Sequence, residues 1–155
     1  MKILITGAKG FIGKNFKIFL KQKNFKILTF DRNESLKKLH KSLFNCDLIF
    51  HFAGENRATN NKLFIKNNTN LTNEICNFLI EHNRKTPIIF TSTTKINKQS
   101  IYAKTKKECE KILINYKKIT NSNVSIYRFP NVFGKWSKPN YNSVVATFCH
   151  NISRK

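Results

Sequence analysis

The chain has no long apolar run. Its apolar stretches, such as residues 47–53 and 88–90, are far shorter than the roughly 20 residues that a membrane-spanning helix needs. No apolar segment follows Met1 and Lys2, as it would in a secretory signal. We therefore expect a protein without a membrane partner that stays in the cytosol.

Closely spaced cysteines are also missing. The four cysteines are separated by 30 residues or more, and no Cys-x-x-Cys pair occurs. A structural zinc site needs four convergent ligands, which are usually built from such local pairs. We expect free thiols in a reducing compartment, and no metal site.

Acidic residues are scarce. The 8 Asp and Glu face 29 Lys and Arg, which gives a formal net charge of +21. Such a charge is typical of nucleic-acid-binding proteins. However, Lys outnumbers Arg by 24 to 5, and the Lys-Lys pairs are scattered over several segments. Arg binds phosphates and bases better than Lys does, because its guanidinium donates two parallel hydrogen bonds. We therefore expect weak, salt-sensitive adhesion to polyanions and no specific nucleic-acid partner.

Short apolar runs alternate with helical periodicity along the 155 residues. Strands are predicted at 2–6, 25–30, 47–52, 87–91 and 124–129. Helices are predicted at 11–23, 34–43, 62–82, 102–119 and 144–152, with a loop at 131–143. Near-continuous apolar strands alternating with helices indicate one α/β domain, 1–155, with a doubly wound parallel sheet of the Rossmann type.

Three glycines follow the first predicted strand in a GxxGxxG pattern. A turn of this kind lets backbone amides and a helix N-terminus approach a pyrophosphate. A purely structural glycine turn is the alternative. The pattern predicts a cofactor-binding loop made of Gly7, Lys9, Gly10, Phe11, Ile12 and Gly13.

Asp31 ends the second predicted strand, 18 residues after Gly13. A carboxylate there can accept hydrogen bonds from both ribose hydroxyls of an adenosine and favours NAD. The adjacent Arg32 could instead pair with a 2′-phosphate, stack on adenine or be a solvated surface residue. The sequence therefore leaves NAD and NADP open.

The third predicted strand contributes further candidates for the cofactor site. Asp47 and Leu48 open this strand, where Asp47 could accept from adenine or simply cap the strand. Phe52, Ala53 and Gly54 close it and would lie beside the nicotinamide ribose.

Tyr102 and Lys106 have a YxxxK spacing at the start of a predicted helix. Positions i and i+4 share a helix face, so the ammonium could lower the pKa of the phenol. In so Lys-rich a chain the spacing can also arise by chance. Hydroxyls at 91–94 end the preceding strand, at the same sheet edge, and could donate to a substrate oxygen.

The segments TGAKGFIG, DLIFHFAG, TSTT, YAKTK and RFPNVFG, in this order, resemble the extended short-chain dehydrogenase/reductase family of nucleotide-sugar epimerases, dehydratases and reductases. Within it the chain is most similar to bacterial capsular-polysaccharide enzymes that reduce a UDP-4-keto-6-deoxy-aminosugar at C4. The resemblance implies a catalytic hydroxyl, tyrosine and lysine. These would be Thr93, with Thr94 as the alternative, Tyr102 and Lys106.

The same resemblance implies further site residues. Asn68 would order the site on the cofactor side, and Pro130 would lie beside the nicotinamide. The nucleotide sugar would contact Asn131, Asn140, Tyr141 and Asn142. The implied cofactor is NAD or NADP and the implied substrate is a UDP-sugar, with a homodimer among the candidate assemblies.

Members of that family continue well beyond residue 155. We therefore expect a C-terminally truncated enzyme that binds nicotinamide nucleotides more readily than it turns over. Residues 91–101 contain no Asp or Glu for a dehydration step, so reduction or epimerisation is favoured over dehydration. The alternatives are a 4-epimerase, a non-catalytic dinucleotide-binding fragment, and a basic polyanion-binding protein.

Overall fold

The computed structural model describes residues 1–154. Five strands form one sheet in the order β2-β1-β3-β4-β5, with every pairing parallel. The strands are β1 (Lys2–Thr6), β2 (Lys26–Phe30), β3 (Leu48–His51), β4 (Ile88–Thr93) and β5 (Val124–Phe129). The helices are α1 (Phe11–Lys21), α2 (Leu36–Asn45), α3 (Asn61–Phe64), α4 (Leu71–Glu81), α5 (Ile101–Thr120) and α6 (Val144–Ile152).

This topology confirms the doubly wound parallel sheet. The chain leaves β1 in one direction to form β2 and then returns to form β3 on the other side of β1. In such sheets, ligands bind at the carboxyl ends of the strands where the winding reverses. Here that point is the end of β1, where Gly7 N–H donates to the Phe30 carbonyl and Phe52 N–H donates to the Thr6 carbonyl.

Two apolar clusters cover the two faces of the sheet. Leu4 and Ile49 belong to the larger cluster, which also contains buried residues of α2, α4 and α5. Ile3 and Ile5 point to the opposite face, where they pack with Leu20 of α1. Successive strand residues alternate between faces, and because both faces of β1 are covered, its sequence is continuously apolar.

The predicted helix over 62–82 is not one regular α-helix. Between α3 and α4 the chain forms a π-helical turn at Ile65–Asn70. Asn68 is buried in this turn, and its carbonyl accepts from the Thr72 hydroxyl at 2.8 Å. π-Turns inside helices are often found at functional sites. The 3.6-residue periodicity of the sequence does not reveal the turn, because it depends on polar contacts made by Asn68.

The last part of the chain is the least buried. β5 is an edge strand, and α6 contains no buried residue, with Val144, Phe148 and Ile152 largely exposed. Over the described part of the chain, no helix combines the length and apolar character that crossing a bilayer requires.

Candidate functional site

The glycine turn between β1 and α1 is built by close backbone contacts. Gly7 has φ of +72°, and a Cβ on it would lie 2.7 Å from the Ala53 nitrogen. A Cβ on Gly13 would lie 2.2 Å from the Gly7 carbonyl oxygen. A Cβ on Gly10, by contrast, would approach only that same oxygen, at 3.2 Å. Gly7 and Gly13 thus hold the turn against β3 and α1, while Gly10 leaves its outer side open.

The N-terminus of α1 is free to bind an anion. Helices α2, α3, α5 and α6 each begin with a side chain that accepts from a backbone N–H, namely Ser35, Asn60, Ser100 and Ser143. Gly10, at the start of α1, offers no such side chain, and the first turn of α1 has no acidic residue. Uncapped N–H groups and the helix dipole together favour a phosphate at this end.

Asp31 lies directly beside this turn. Its carboxylate accepts from the Lys9 backbone N–H at 2.9 Å, and its own N–H donates to the Glu34 carboxylate at 2.8 Å. Arg32, next along the chain, is largely exposed and forms an ion pair with Glu55. The sequence analysis missed Glu55, although it follows Gly54 at the carboxyl end of β3 and is one of only 8 acidic residues.

The cofactor-binding role predicted for Asp47 and Leu48 is wrong. Both residues lie at the amino end of β3, and the Asp47 carboxylate accepts from the Lys2 backbone N–H at 2.6 Å. At about 3.3 Å per strand residue, this end is about 16 Å from the glycine turn. Asp47 instead has the alternative role considered for it, which is to cap the strand.

Thr93 and Tyr102 meet at the carboxyl edge of the sheet. Thr93 is the last residue of β4, and Tyr102 lies in the first turn of α5, which Ser100 caps. Burial raises the pKa of the Tyr102 phenol, and the neighbouring Thr93 side chain lowers it by less. Of the two hydroxyls considered, the structure thus places Thr93 against the phenol, whereas the Thr94 hydroxyl bonds the Phe129 carbonyl.

Lys106 is buried, with 5% of its surface exposed. Its Nζ donates to the Thr91 carbonyl at 2.8 Å and lies 4.4 Å from the centre of the Phe90 ring. Burial lowers the pKa of Lys106 to about 8. Lys106 is not among the groups that shift the pKa of Tyr102, so the predicted lowering of the phenol pKa by this lysine is wrong for the cofactor-free chain.

Gly54 makes room for Lys106 and Asn68. A Cβ on Gly54 would lie 3.3 Å from Lys106 Nζ and 3.1 Å from the Asn68 side-chain oxygen. Asn68 accepts from the Glu55 N–H at 2.6 Å and donates to the Thr105 hydroxyl at 3.0 Å. These contacts of Asn68 join the loop after β3 to helix α5, and its ordering role at the site stays a prediction.

A buried polar chain connects the same groups to β1. His51 is hydrogen-bonded to Thr6 at 2.7 Å and to Thr72 at 3.0 Å. Burial lowers the pKa of His51 to about 3, so the ring is neutral at physiological pH. Thr6 in turn accepts from the Ala53 N–H at 3.2 Å. The His51 ring thus ties the end of β1 to Thr72 in the first turn of α4 through hydrogen bonds of a neutral group.

The residues predicted to face the sugar lie on a second side of the cleft. The Tyr141 hydroxyl donates to the Asn56 side chain at 3.0 Å, and the Arg57 guanidinium lies 5.0 Å from the centre of the Tyr141 ring. A groove of about 470 Å³ is lined by Arg57, Asn140, Tyr141, Asn142, Ser143, Val144, Thr147 and Phe148. Sequence analysis missed Arg57, which is one of only five arginines.

Two further predicted residues follow β5. Pro130 is exposed directly after this strand, and Asn131 accepts from Lys95 Nζ at 3.1 Å. Lys95 lies just beyond β4, so this contact joins the ends of neighbouring strands. The structure thus brings the predicted glycine turn, Asp31, the segment 52–54, Asn68, the catalytic set and the segment 130–142 to one edge of the sheet.

Comparison with known proteins gives a family match over almost the whole chain. A family model described as NAD dependent epimerase/dehydratase matches residues 3–155. The chain is 39% identical to a UDP-2-acetamido-2,6-beta-L-arabino-hexul-4-ose reductase of Pseudomonas aeruginosa over 155 residues. This alignment covers 99% of the chain and 42% of the reductase.

Solved structures give a consistent result. The capsular polysaccharide assembling protein CapF of Staphylococcus aureus is 39% identical, with a TM-score of 0.86, over 99% of this chain and 42% of CapF. A UDP-glucuronic acid 4-epimerase of Bacillus cereus, solved with NAD, has a TM-score of 0.77 over 90% of this chain and 60% of the epimerase. Its 21% identity shows the fold alone. The chain spans about two fifths of the length of the reductase and of CapF.

Proposed function

The chain belongs to the NAD dependent epimerase/dehydratase family, and from this premise we propose that it is the cofactor-binding part of a nucleotide-sugar oxidoreductase. The family resemblance noted in the sequence is thereby confirmed. The proposed reaction is reduction at C4 of a UDP-4-keto-6-deoxy-aminosugar in the synthesis of a capsule or surface polysaccharide. The 39% identity to a reductase of such a sugar supports this substrate class. A homodimeric assembly and a cytosolic location stay predictions of the sequence.

The observation that carries the proposal is the placement of Tyr102. Its phenol lies beside the Thr93 side chain, one helical turn from Lys106, at the sheet edge where the uncapped N-terminus of α1 also lies. A proton donor, a second hydroxyl and an anion-binding turn at one edge are what reduction of a sugar ketone by a dinucleotide requires.

The residues present fit a nicotinamide dinucleotide. The open side of Gly10 and the free N–H groups of α1 would hold the diphosphate. Asp31 would accept from the adenosine ribose, and residues 52–54 would lie beside the nicotinamide ribose, next to Lys106. When bound, the reduced cofactor supplies the hydride.

The protein's own groups would handle the proton. The Tyr102 phenol would donate a proton to the sugar oxygen at C4, and the Thr93 hydroxyl would hydrogen-bond the same oxygen. Burial holds the pKa of Tyr102 above its ordinary value, so the phenol carries its proton at neutral pH and is prepared to act as an acid. Lys106 would bind the nicotinamide ribose.

Tyr102→Phe tests this assignment. The variant should bind NADH or NADPH with the affinity of the wild type, because Phe keeps the ring and loses only the hydroxyl. It should lose oxidation of the reduced cofactor by the 4-keto sugar nucleotide. Tyr127→Phe is the matched control, since Tyr127 is exposed on the edge strand β5. Turnover retained by Tyr102→Phe would contradict the role of the phenol.

A non-catalytic dinucleotide-binding module is the second candidate. It is favoured by the absence of buried residues in α6, which helps to line the groove beside Tyr141. Such a module would bind the dinucleotide and show no hydride transfer to any nucleotide sugar. The same titration and turnover assays therefore separate the two candidates.

A further inference from the structure

Negative charge is concentrated at the carboxyl end of β2. Three of the 8 acidic residues, Asp31, Glu34 and Glu55, lie around it in a chain of net charge +21. Glu34 pairs with Lys38 and binds the Asp31 N–H, and Asp31 binds the N–H of Lys9 in the glycine turn. The surroundings of the adenosine ribose are therefore acidic although the molecule as a whole is strongly basic.

Glu55 is the fixed member of its ion pair with Arg32. The exposed side-chain fraction is 8% for Glu55 and 65% for Arg32. The Glu55 backbone is held at both polar atoms by the Asn68 side chain, at 2.6 and 3.1 Å, and its carboxylate also accepts from Asn67 at 3.3 Å. The long, exposed Arg32 side chain is therefore held in position by Glu55.

This pairing removes the cation that a 2′-phosphate needs. A phosphate on the adenosine ribose would face the Asp31 carboxylate, and its natural partner is a nearby arginine. Arg32 is the arginine next to Asp31, but its charge is already neutralised by a buried carboxylate. Turning Arg32 toward a 2′-phosphate would break that pair and leave the buried Glu55 carboxylate with only the 3.3 Å contact from Asn67.

We propose that Glu55 is a positioning residue that withholds Arg32 from the ribose 2′ position and so makes the site selective for NAD(H) over NADP(H). The inference rests on the proposed function, because it presumes that the site binds a nicotinamide dinucleotide. It goes beyond that function by assigning the discrimination to one residue outside the glycine turn.

Calorimetric titration of the wild-type chain with NADH and NADPH, at fixed ionic strength, tests the selectivity. Titrations with 5′-AMP and adenosine 2′,5′-bisphosphate repeat the comparison on the adenosine end alone. We expect each ligand without the 2′-phosphate to bind at least ~10-fold more tightly than its counterpart, about the effect of one charge-assisted contact. Equal binding, or preference for NADPH, would overturn the inference while leaving the proposed function intact.

Glu55→Gln tests the mechanism. The amide keeps the shape of the side chain and releases Arg32, so NADPH should bind ~10-fold more tightly than to the wild type, and NADH should change by less than ~2-fold. In the double variant Glu55→Gln with Arg32→Gln, this gain should be lost. Equal weakening of both cofactors in Glu55→Gln would mean a merely structural role and would contradict the inference.

Glu81→Gln is the control for net charge, because Glu81 is an exposed residue at the end of α4. It removes one negative charge without touching the ribose site and should leave the ratio of the two affinities unchanged. A shift as large as that of Glu55→Gln would overturn the inference, since it would then be an effect of overall charge. Failure of the wild type to bind either dinucleotide would overturn the proposed function itself, and with it this inference.

Discussion

Replacing Lys106 with methionine is expected to stabilise the cofactor-free chain at neutral pH and to abolish hydride transfer. The lysine is 5% exposed, and its Nζ contacts the Thr91 carbonyl and the Phe90 ring, with no carboxylate bonded to it among the described residues. Methionine has a similar length and carries no charge. The substitution therefore removes the desolvation penalty and keeps most of the packing.

The magnitude follows from the shift in pKa. Burial lowers the pKa of Lys106 from 10.5 to about 8, and each pKa unit corresponds to about 1.4 kcal/mol, so the charged lysine costs about 3 kcal/mol at pH 7. Loss of the hydrogen bond to Thr91 offsets about 1 kcal/mol of this. The net gain in the free energy of unfolding should be about 1–2 kcal/mol.

The pH dependence of the stability difference between the two proteins is a second, independent test. Because the folded-state pKa lies below the unfolded one, the unfolded wild-type chain binds more protons between pH 8 and 10.5, and its stability relative to the variant rises there. The advantage of Lys106→Met should therefore shrink by about 2 kcal/mol between pH 7 and pH 9.5. Methionine cannot titrate, so the difference between the two proteins isolates this lysine.

Urea unfolding at the two pH values measures the effect, with Lys107→Met as the control because Lys107 is exposed on the same helix. The control should change the free energy of unfolding by less than about 0.5 kcal/mol at either pH. A Lys106→Met chain that is less stable than the wild type at pH 7, or whose advantage does not depend on pH, would refute the reasoning.

Three other substitutions have definite expected outcomes. Gly10→Ala should weaken dinucleotide binding at least ~10-fold, with the free energy of unfolding unchanged within about 1 kcal/mol. Gly13→Ala, whose Cβ would meet the Gly7 carbonyl at 2.2 Å, should lower the free energy of unfolding by about 1–3 kcal/mol. Calorimetry measures the binding of each variant and urea unfolding measures its stability. Burial raises the pKa of Glu110, but hydrogen bonds from Arg128 and a neighbouring serine lower it to a net value below 4.5. Glu110→Gln should therefore lose about 1–3 kcal/mol at pH 7, and the loss should fade as the pH drops through the lowered pKa, as urea unfolding over a pH series would measure.

The sheet could be predicted from the sequence because each strand is marked by the apolar pattern of its own residues. A strand buried on both faces has to be apolar throughout, as β1 is, and Gly7 and Gly10 mark where it ends. Right-handed crossovers then place helices on both faces of the sheet, whereas the strand order β2-β1-β3-β4-β5 is seen only in the structure. Asp47 was placed wrongly because it opens β3. The amino ends of parallel strands lie at the sheet edge opposite the carboxyl ends, where the ligand binds.

Other features of the site depend on contacts between distant residues. Arg32 and Glu55 are 23 positions apart and follow different strands, so nothing in the sequence pairs them. At the π-helical turn, the Asn68 side chain bonds the Glu55 backbone and Thr105, which are 13 and 37 positions away in the sequence. The YxxxK spacing correctly put Lys106 on the helix that carries Tyr102, but the pKa of each depends on burial, which the spacing does not encode.

The central claim is that the N-terminus of α1 holds the diphosphate of a nicotinamide dinucleotide with the Tyr102 phenol on the other side of the same cleft. An NMR titration of the ¹⁵N-labelled chain with NADH tests it most directly. The account predicts saturable shifts that are largest for the backbone amides of residues 10–13, accompanied by shifts at Tyr102 and Lys106. Shifts spread over the lysine-rich surface that disappear when salt is added, with those amides unmoved, would contradict it.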